Sequence, residues 1–251
     1  MEYEIKGKTA LVTGASRGIG AATAVALARN GVRRIQLQYN TNAEGAQKTA
    51  QAIRDLGGEA SAIQADFSQM EGVHTFLERF DPNVDILINN AGHLVQRARL
   101  TEATEDLYDQ VMNLNVKSAW LLTQAVAPPM IERASGVIVF LSSIAARNGG
   151  GVGATLYSAS KAAVSCITKG VAKELAPKGI RVNAVSPGTV DNYFHEKYSN
   201  RTILDNMLAQ TPAGKLGTNE EVADTILFLC SEASRYIYGQ TIEINGGMYM
   251  V

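Results

Sequence analysis

Cysteine is scarce, with two in 251 residues. Cys166 and Cys230 lie far apart without metal-like spacing, so neither a disulfide framework nor a metal site is expected. A charge excess of either sign is also missing, since 23 Lys and Arg stand against 24 Asp and Glu, for a formal net charge of -1. Without a basic field or a visible basic patch, neither nucleic acid nor an anionic membrane surface is an expected partner. No apolar run reaches the roughly 18 residues that a membrane span takes, and the opening MEYEIKGK lacks the apolar core of a signal peptide. A reduced, cytoplasmic setting is therefore the expectation. Internal repeats, linkers and low-complexity segments are absent as well. One domain over residues 1–251 is expected, and a hydrophobic content of 46% suffices for a sizeable core.

Alternation is what the sequence does have. Short β-branched runs are centred on residues 10–13, 35–38, 60–64, 85–89, 137–142, 181–186 and 241–244, with amphipathic stretches between them. Two of these stretches are long, at 104–131 and 157–175. The pattern predicts an α/β fold, a seven-stranded parallel sheet doubly wound with helices on both faces. The polar segment from Thr189 to about Gln210 follows a strand without a clear period, and is expected to pass over the site as a lid.

After the first strand comes Thr13-Gly14-Ala15-Ser16-Arg17-Gly18-Ile19-Gly20, followed by an alanine-rich helical stretch. Glycines there let the backbone approach a pyrophosphate, whose charge is favoured by the helix N-terminus. The spacing departs from G-x-G-x-x-G, and alone it also fits an ordinary strand-to-helix turn. At the start of the second long helical stretch, Tyr157 and Lys161 are i,i+4 neighbours on one face. A tyrosine with pKa near ~10 is only ~0.1% ionised at pH 7, and lowering it by three units takes about 4 kcal/mol. An adjacent ammonium and an oxidised nicotinamide could supply that at low effective dielectric. Taken alone, a Tyr and Lys at this spacing usually form a surface pair.

Taken together, Thr13 to Gly20, Asn89-Asn90-Ala91-Gly92, Ser143, Tyr157-Ser158-Ala159-Ser160-Lys161 and Pro187-Gly188 resemble the signatures of the short-chain dehydrogenase/reductase family, in the family's order and over almost the whole chain. The resemblance implies a Rossmann-like fold and reversible, NAD(P)-dependent transfer of a hydride between nicotinamide and a carbonyl or alcohol carbon. It implies four catalytic residues. Tyr157 is the general acid in reduction, and Lys161 holds the nicotinamide ribose and depresses the tyrosine pKa. Ser143, in preference to Ser142, donates to the substrate oxygen, and Asn115 positions a water that connects Lys161 to solvent.

Cofactor contacts are implied for Gly14, Ser16, Arg17, Gly18, Ile19 and Gly20, for Asn90, Ala91 and Gly92, and for Pro187, Gly188, Thr189 and Val190. Asp66 and Phe67 would lie by the adenine, although Asp66 also reads as a helix N-cap. Asn192 stands where many relatives carry a threonine. In NAD enzymes of this fold an acidic residue about 20 positions beyond the glycine loop accepts the ribose hydroxyls. The corresponding Gln38, Tyr39, Asn40 and Thr41 include no carboxylate, and Arg17 can reach a 2′-phosphate. NADP(H) is thus the preferred cofactor, with NAD(H) usable.

For substrate, the variable segments resemble reductases of uronate-derived aldehydes, with His93, Arg97, Ser143, Phe194 and His195 as candidate contacts. A carboxylate needs a charge partner, although Arg97 and His195 also read as solvated or lid-packing residues. Much of the chain also resembles 3-oxoacyl-carrier-protein reductases, which is the alternative, and a non-catalytic nucleotide-binding sensor is a third reading. An ending seven residues after the last strand favours a simple reductase over an epimerase or dehydratase with an enlarged substrate domain. Similar proteins form homotetramers, and Trp120, Leu121, Leu122, Val164 and Ile167 are the expected helix-pairing surface.

Overall fold

In the computed structural model, residues 4–199 and 201–250 are described, apart from the side chains of His195 and Glu196. Seven parallel strands form one sheet in the order β3-β2-β1-β4-β5-β6-β7. They are β1 (Thr9–Val12), β2 (Arg34–Tyr39), β3 (Glu59–Gln64), β4 (Ile86–Asn89), β5 (Gly136–Leu141), β6 (Ile180–Pro187) and β7 (Thr241–Ile244). Successive side chains of a strand enter opposite cores. In β5, Val137, Val139 and Leu141 pack on one face while Ile138 and Phe140 pack on the other. Burial on both faces is why the central strands read as nearly continuous apolar runs.

One core is completed by α1 (Gly18–Arg29), α2 (Ala43–Asp55) and, far along the chain, the helix Asn219–Cys230, which contribute Leu27, Ile53 and Ile226. The other is completed by α3 (Met70–Arg79), α5 (Ser118–Glu132) and α7 (Thr155–Leu175) through Phe76, Leu122 and Val164. Between these lie α4 (Glu105–Met112) and the short α6 (Ala145–Asn148). The helix Asn219–Cys230, α10, follows α8 (Tyr193–Tyr198) and α9 (Arg201–Ala209). Side-chain caps start α2 at Asn42 and α4 at Thr104, and a capping box of Thr218 with Glu221 starts α10. Strand order reverses between β1 and β4, so a crevice opens there beyond the carboxyl ends of the strands.

Three sequence expectations change in detail. The single long helix at 104–131 is two helices joined by a π-helical turn over Asn113–Lys117. At its centre the Asn115 amide donates to Val111 O at 2.9 Å and to His93 O at 3.0 Å, a long-range bond that apolar periodicity does not register. The segment after Thr189 holds α8 and α9, and a bridge between Val190 and Gly217 pins its start. The expected pairing surface also shrinks. Leu122 and Val164 are buried in the core because they lie on the sheet-facing sides of their helices, whereas Trp120 is 44% exposed.

Candidate active site

A cleft of about 630 Å³ runs from the glycine loop to the α8–α9 segment. At its cofactor end, β1 is tied to its neighbours by buried polar side chains. Thr13 Oγ1 accepts from Asn90 N at 3.0 Å and Ala91 N at 2.9 Å, and Asn90 Nδ2 donates to Thr13 O at 2.7 Å. Gln38 Oε1 accepts from Gly14 N at 2.8 Å, while its Nε2 donates to Ala65 O at 2.7 Å. Gly20 packs so closely that a Cβ would come within 2.4 Å of Gly14 O. The loop shape therefore depends on that glycine.

Helix α1 begins without a side-chain cap and without an acidic residue in its first turn. Its first backbone N–H groups are left for an anion, the chemistry a dinucleotide pyrophosphate requires. Arg17, at the N-cap position, stacks its guanidinium 4.0 Å from the centroid of the Tyr193 ring in α8.

The chemistry end is assembled from four elements. Helix α7 carries Tyr157 and Lys161 one turn apart, with the Lys161 ammonium 5.7 Å from the tyrosine ring centroid. Lys161 is buried and donates to Leu141 O at 2.7 Å, at the end of β5. Burial pushes its pKa down to about 8. Burial also pushes the Tyr157 phenol up to about 12, and the Ser143 hydroxyl beside it works in the opposite direction. The lowering of this pKa by Lys161 that the resemblance implied is not found, because burial of the phenol dominates, and at neutral pH the phenol is protonated.

The two serines separate cleanly. Ser142 Oγ donates to Lys161 O at 3.0 Å and lies 2.7 Å from Ser165 Oγ, which packs the end of β5 against α7. Ser143 lies in the cleft, where its Oγ accepts from Ala145 N at 3.2 Å. Gly92 separates the π turn from α7, and a Cβ there would stand 2.5 Å from Asn115 Oδ1 and 2.8 Å from Lys161 Nζ. Asn115 Oδ1 is buried without a hydrogen-bond partner among the described residues. Such an orphan acceptor is costly unless a water or ligand group meets it. These residues fit a nicotinamide cofactor on two counts, the uncapped helix terminus and this open acceptor beside the lysine.

At the substrate end, α8 is fastened over the cleft by long-range bonds. Arg97 Nε donates to Tyr198 O at 2.9 Å, and its Nη1 donates to Val152 O at 3.0 Å. Tyr198 Oη lies 3.0 Å from His93 Nδ1, and Phe194 stands between the Tyr157 and Tyr198 rings at 5.6 and 5.1 Å. The glycine-rich turn before α7 is held by Ser158 Oγ, which donates to Gly149 O at 2.7 Å.

The structure brings most of the expected residues to this cleft, including Ser16, Ile19, Asn40, Thr41, Phe67 and the Pro187-Gly188-Thr189-Val190 segment. Others lie behind its surface. Tyr39 and Gly20 are outside the lining, as is Asp66, whose Oδ1 accepts from Ser68 N and Ser68 Oγ. The alternative reading of Asp66 as a helix cap does not hold, since α3 starts later, after Gln69. Asn192 bonds Asn219 at 3.1 Å. The side chain of His195 lies outside the described residues. Sequence reasoning missed Tyr193, Lys197 and Tyr198, although the i,i+4 spacing of Phe194 and Tyr198 was an available signal.

Residues 14–249 match the family model described as enoyl-(acyl carrier protein) reductase. A 3-oxoacyl-[acyl-carrier-protein] reductase of Staphylococcus epidermidis is 38% identical over 246 residues, 97% of this chain and 99% of that protein. Among solved structures, a candidate NAD(P)-dependent gluconate 5-dehydrogenase of Beutenbergia cavernae, with NADP bound at low occupancy, superposes with a TM-score of 0.91. It shares 33% identity over 99% of each chain. The NADH-dependent reductase A1-R′, responsible for alginate metabolism, gives a TM-score of 0.86 at 36% identity, covering 99% of this chain and 100% of its own. With a fold, a motif order and relatives that agree along almost its whole length, this chain belongs to the short-chain dehydrogenase/reductase family and is an oxidoreductase.

Proposed function

We propose that this protein is an NADPH-preferring carbonyl reductase acting on a small, polar, sugar-derived keto or aldehyde acid, of which the deoxy-hexoseulose uronate of alginate breakdown is the model. One observation carries the reading. Among the described residues, the cleft lining contains no carboxylate and four cations: Arg17, Arg97, Lys161 and Lys197. Arg17 stands at the glycine loop, suited to a 2′-phosphate. Arg97 and Lys197 stand at the far end, suited to a substrate carboxylate. Lys161 lies between them, beside Tyr157.

When bound, the nicotinamide supplies the hydride. Tyr157 gives the phenolic proton to the substrate oxygen, and Ser143 donates a hydrogen bond to the same oxygen as negative charge develops. Lys161 holds the ribose, and its ammonium stabilises the phenolate left behind. The Lys161 ammonium then returns a proton to the phenolate, and Asn115, through its open Oδ1, orients a water from which the neutral lysine is reprotonated. A homotetramer, paired through the helix surface around Trp120, is part of the same proposal and is checked by light scattering at micromolar concentration.

A second reading draws on the apolar wall that Phe194, Ile203, Met207 and Met248 add to the cleft. That wall suits an acyl chain, as in reduction of a 3-oxoacyl thioester. Assays with NADPH and with NADH against uronate-derived aldehydes, simple sugars, diketones and an acetoacetyl thioester separate the two. The expected result is the highest kcat/KM with the uronate and NADPH. Clear preference for the thioester would replace the substrate assignment, and equal or better kcat/KM with NADH would overturn the cofactor preference.

A further inference from the structure

His93 follows Gly92 directly, and its ring is held from one side only. Val95 N donates to His93 Nδ1 at 2.8 Å, and Tyr198 Oη approaches the same nitrogen at 3.0 Å. A backbone N–H can only donate, so Nδ1 is the acceptor and carries no proton. In a neutral imidazole the proton must then reside on Nε2. No protein group among the described residues is hydrogen-bonded to that Nε2, and the side chain lines the cleft together with Tyr157 and Tyr198.

The surroundings hold this arrangement in place. Val95, a β-branched residue, adopts φ 63°, a conformation that persists only where neighbouring contacts over-determine it. Those contacts are the Val95 N to Nδ1 bond, the Tyr198 hydroxyl 3.3 Å from Val95 O, and the Asn115 amide on His93 O. The Tyr198 ring stacks on the imidazole with centroids 6.1 Å apart. The charged groups acting on the ring are Lys197 and Lys161, which oppose protonation, and Asp66, which favours it. Burial outweighs them all, and the pKa falls to about 4.

We propose that His93 is a specificity-determining residue, a neutral imidazole locked as the Nε2–H tautomer that donates a hydrogen bond to an oxygen substituent flanking the substrate carbonyl. It would select hydroxylated or dicarbonyl compounds over plain aldehydes, and its role is that of a directional donor, not a cation. Carboxylate recognition is left to Arg97 and Lys197. The proposal rests on the carbonyl-reductase reading of the cleft and adds the feature by which substrate is chosen.

Two measurements test it. The chain has only three histidines, so long-range ¹⁵N–¹H spectra of the full-length protein, with His93→Gln to assign the signal, read the tautomer directly. The expected spectrum shows Nδ1 unprotonated and Nε2 protonated throughout pH 5.5 to 9. A titration near the ordinary histidine value of ~6.5, or a proton on Nδ1, would overturn the proposal. The second measurement compares kcat/KM for glyceraldehyde with that for propionaldehyde, in the wild type and in His93→Leu. The wild-type preference for the hydroxylated aldehyde is expected to fall by about 10-fold, the size of one hydrogen bond. Turnover with an unchanged ratio would overturn the proposal alone. No turnover with any carbonyl would overturn the reductase reading and the proposal with it. Should His93→Leu fail to fold, the wild-type tautomer remains decisive.

Discussion

At the cofactor end of the cleft, polar side chains bind neighbouring parts of one sheet to each other. Thr13, Gln38 and Asn90 bond backbone groups on adjacent strands and their following turns, and the resulting shape requires glycine where Gly20 meets Gly14 O. At the substrate end the partners are a loop and a helix about a hundred residues apart. Arg97 and His93 reach Tyr198 across separations of 101 and 105 residues. The first end is built on strands buried on both faces, whereas the second is laid over them. Hydrogen bonds of the second kind can open without disturbing the sheet, so the cofactor half is expected to be the rigid one and α8 the element that moves for substrate entry.

The largest effect should come from the chemistry itself. Tyr157→Phe removes the transferable proton while keeping the ring against Phe194. We expect kcat to fall by at least ~100-fold with the NADPH dissociation constant unchanged in a fluorescence titration. Retention of more than about a tenth of wild-type kcat would remove Tyr157 from the acid role.

A smaller effect of opposite sign on stability is expected at Lys161, the buried cation between the two halves. Its pKa is about 8 in the folded chain, against 10.5 for the unperturbed side chain. Between those values the unfolded state binds a proton that the folded state does not, so stability rises as pH climbs from about 8 to 10.5, and the full penalty applies below 8. Lys161→Met removes the penalty but also the bond to Leu141 O, for a net gain of roughly 2 kcal/mol near pH 7. Calorimetry of the cofactor-free protein should show Tm raised by roughly 5 °C at pH 7, with the difference shrinking toward pH 10 while activity is lost. A variant less stable than the wild type at pH 7 would contradict this account.

The smallest effect separates the halves most sharply. Arg97→Ala breaks the bonds to Tyr198 O and Val152 O, and should raise KM for the carbonyl substrate about 10-fold, with NADPH affinity unchanged within error. Arg97→Lys keeps the charge but cannot fork to two carbonyls, so it should restore only part of the loss. Full rescue by lysine would mean that the side chain acts through charge alone. A parallel loss of NADPH affinity would mean that the two ends of the cleft are coupled, with the Arg17–Tyr193 stack as the connection to examine.

The sequence by itself determined the sheet and the placement of the motifs. Strand cores were legible because strands buried on both faces read as short apolar runs between helical stretches, and the run from Tyr157 to Lys161 because i,i+4 spacing is a local consequence of helix geometry. The glycine loop could be placed between a strand and a helix for the same reason, whereas its missing cap is a finding of the structure. Only the tertiary structure decided the rest. The π turn depends on an Asn115 bond to His93, 22 residues away, and the assignment of Ser142 to packing depends on Ser165 in a later helix. Arg97 is bonded to the end of α8, and His93 has its proton on Nε2, because of what Tyr198 and Val95 present to them. Residue type and spacing define what a side chain can donate or accept. Which partner it meets is set by the packing of distant segments, and that packing leaves no period in the sequence.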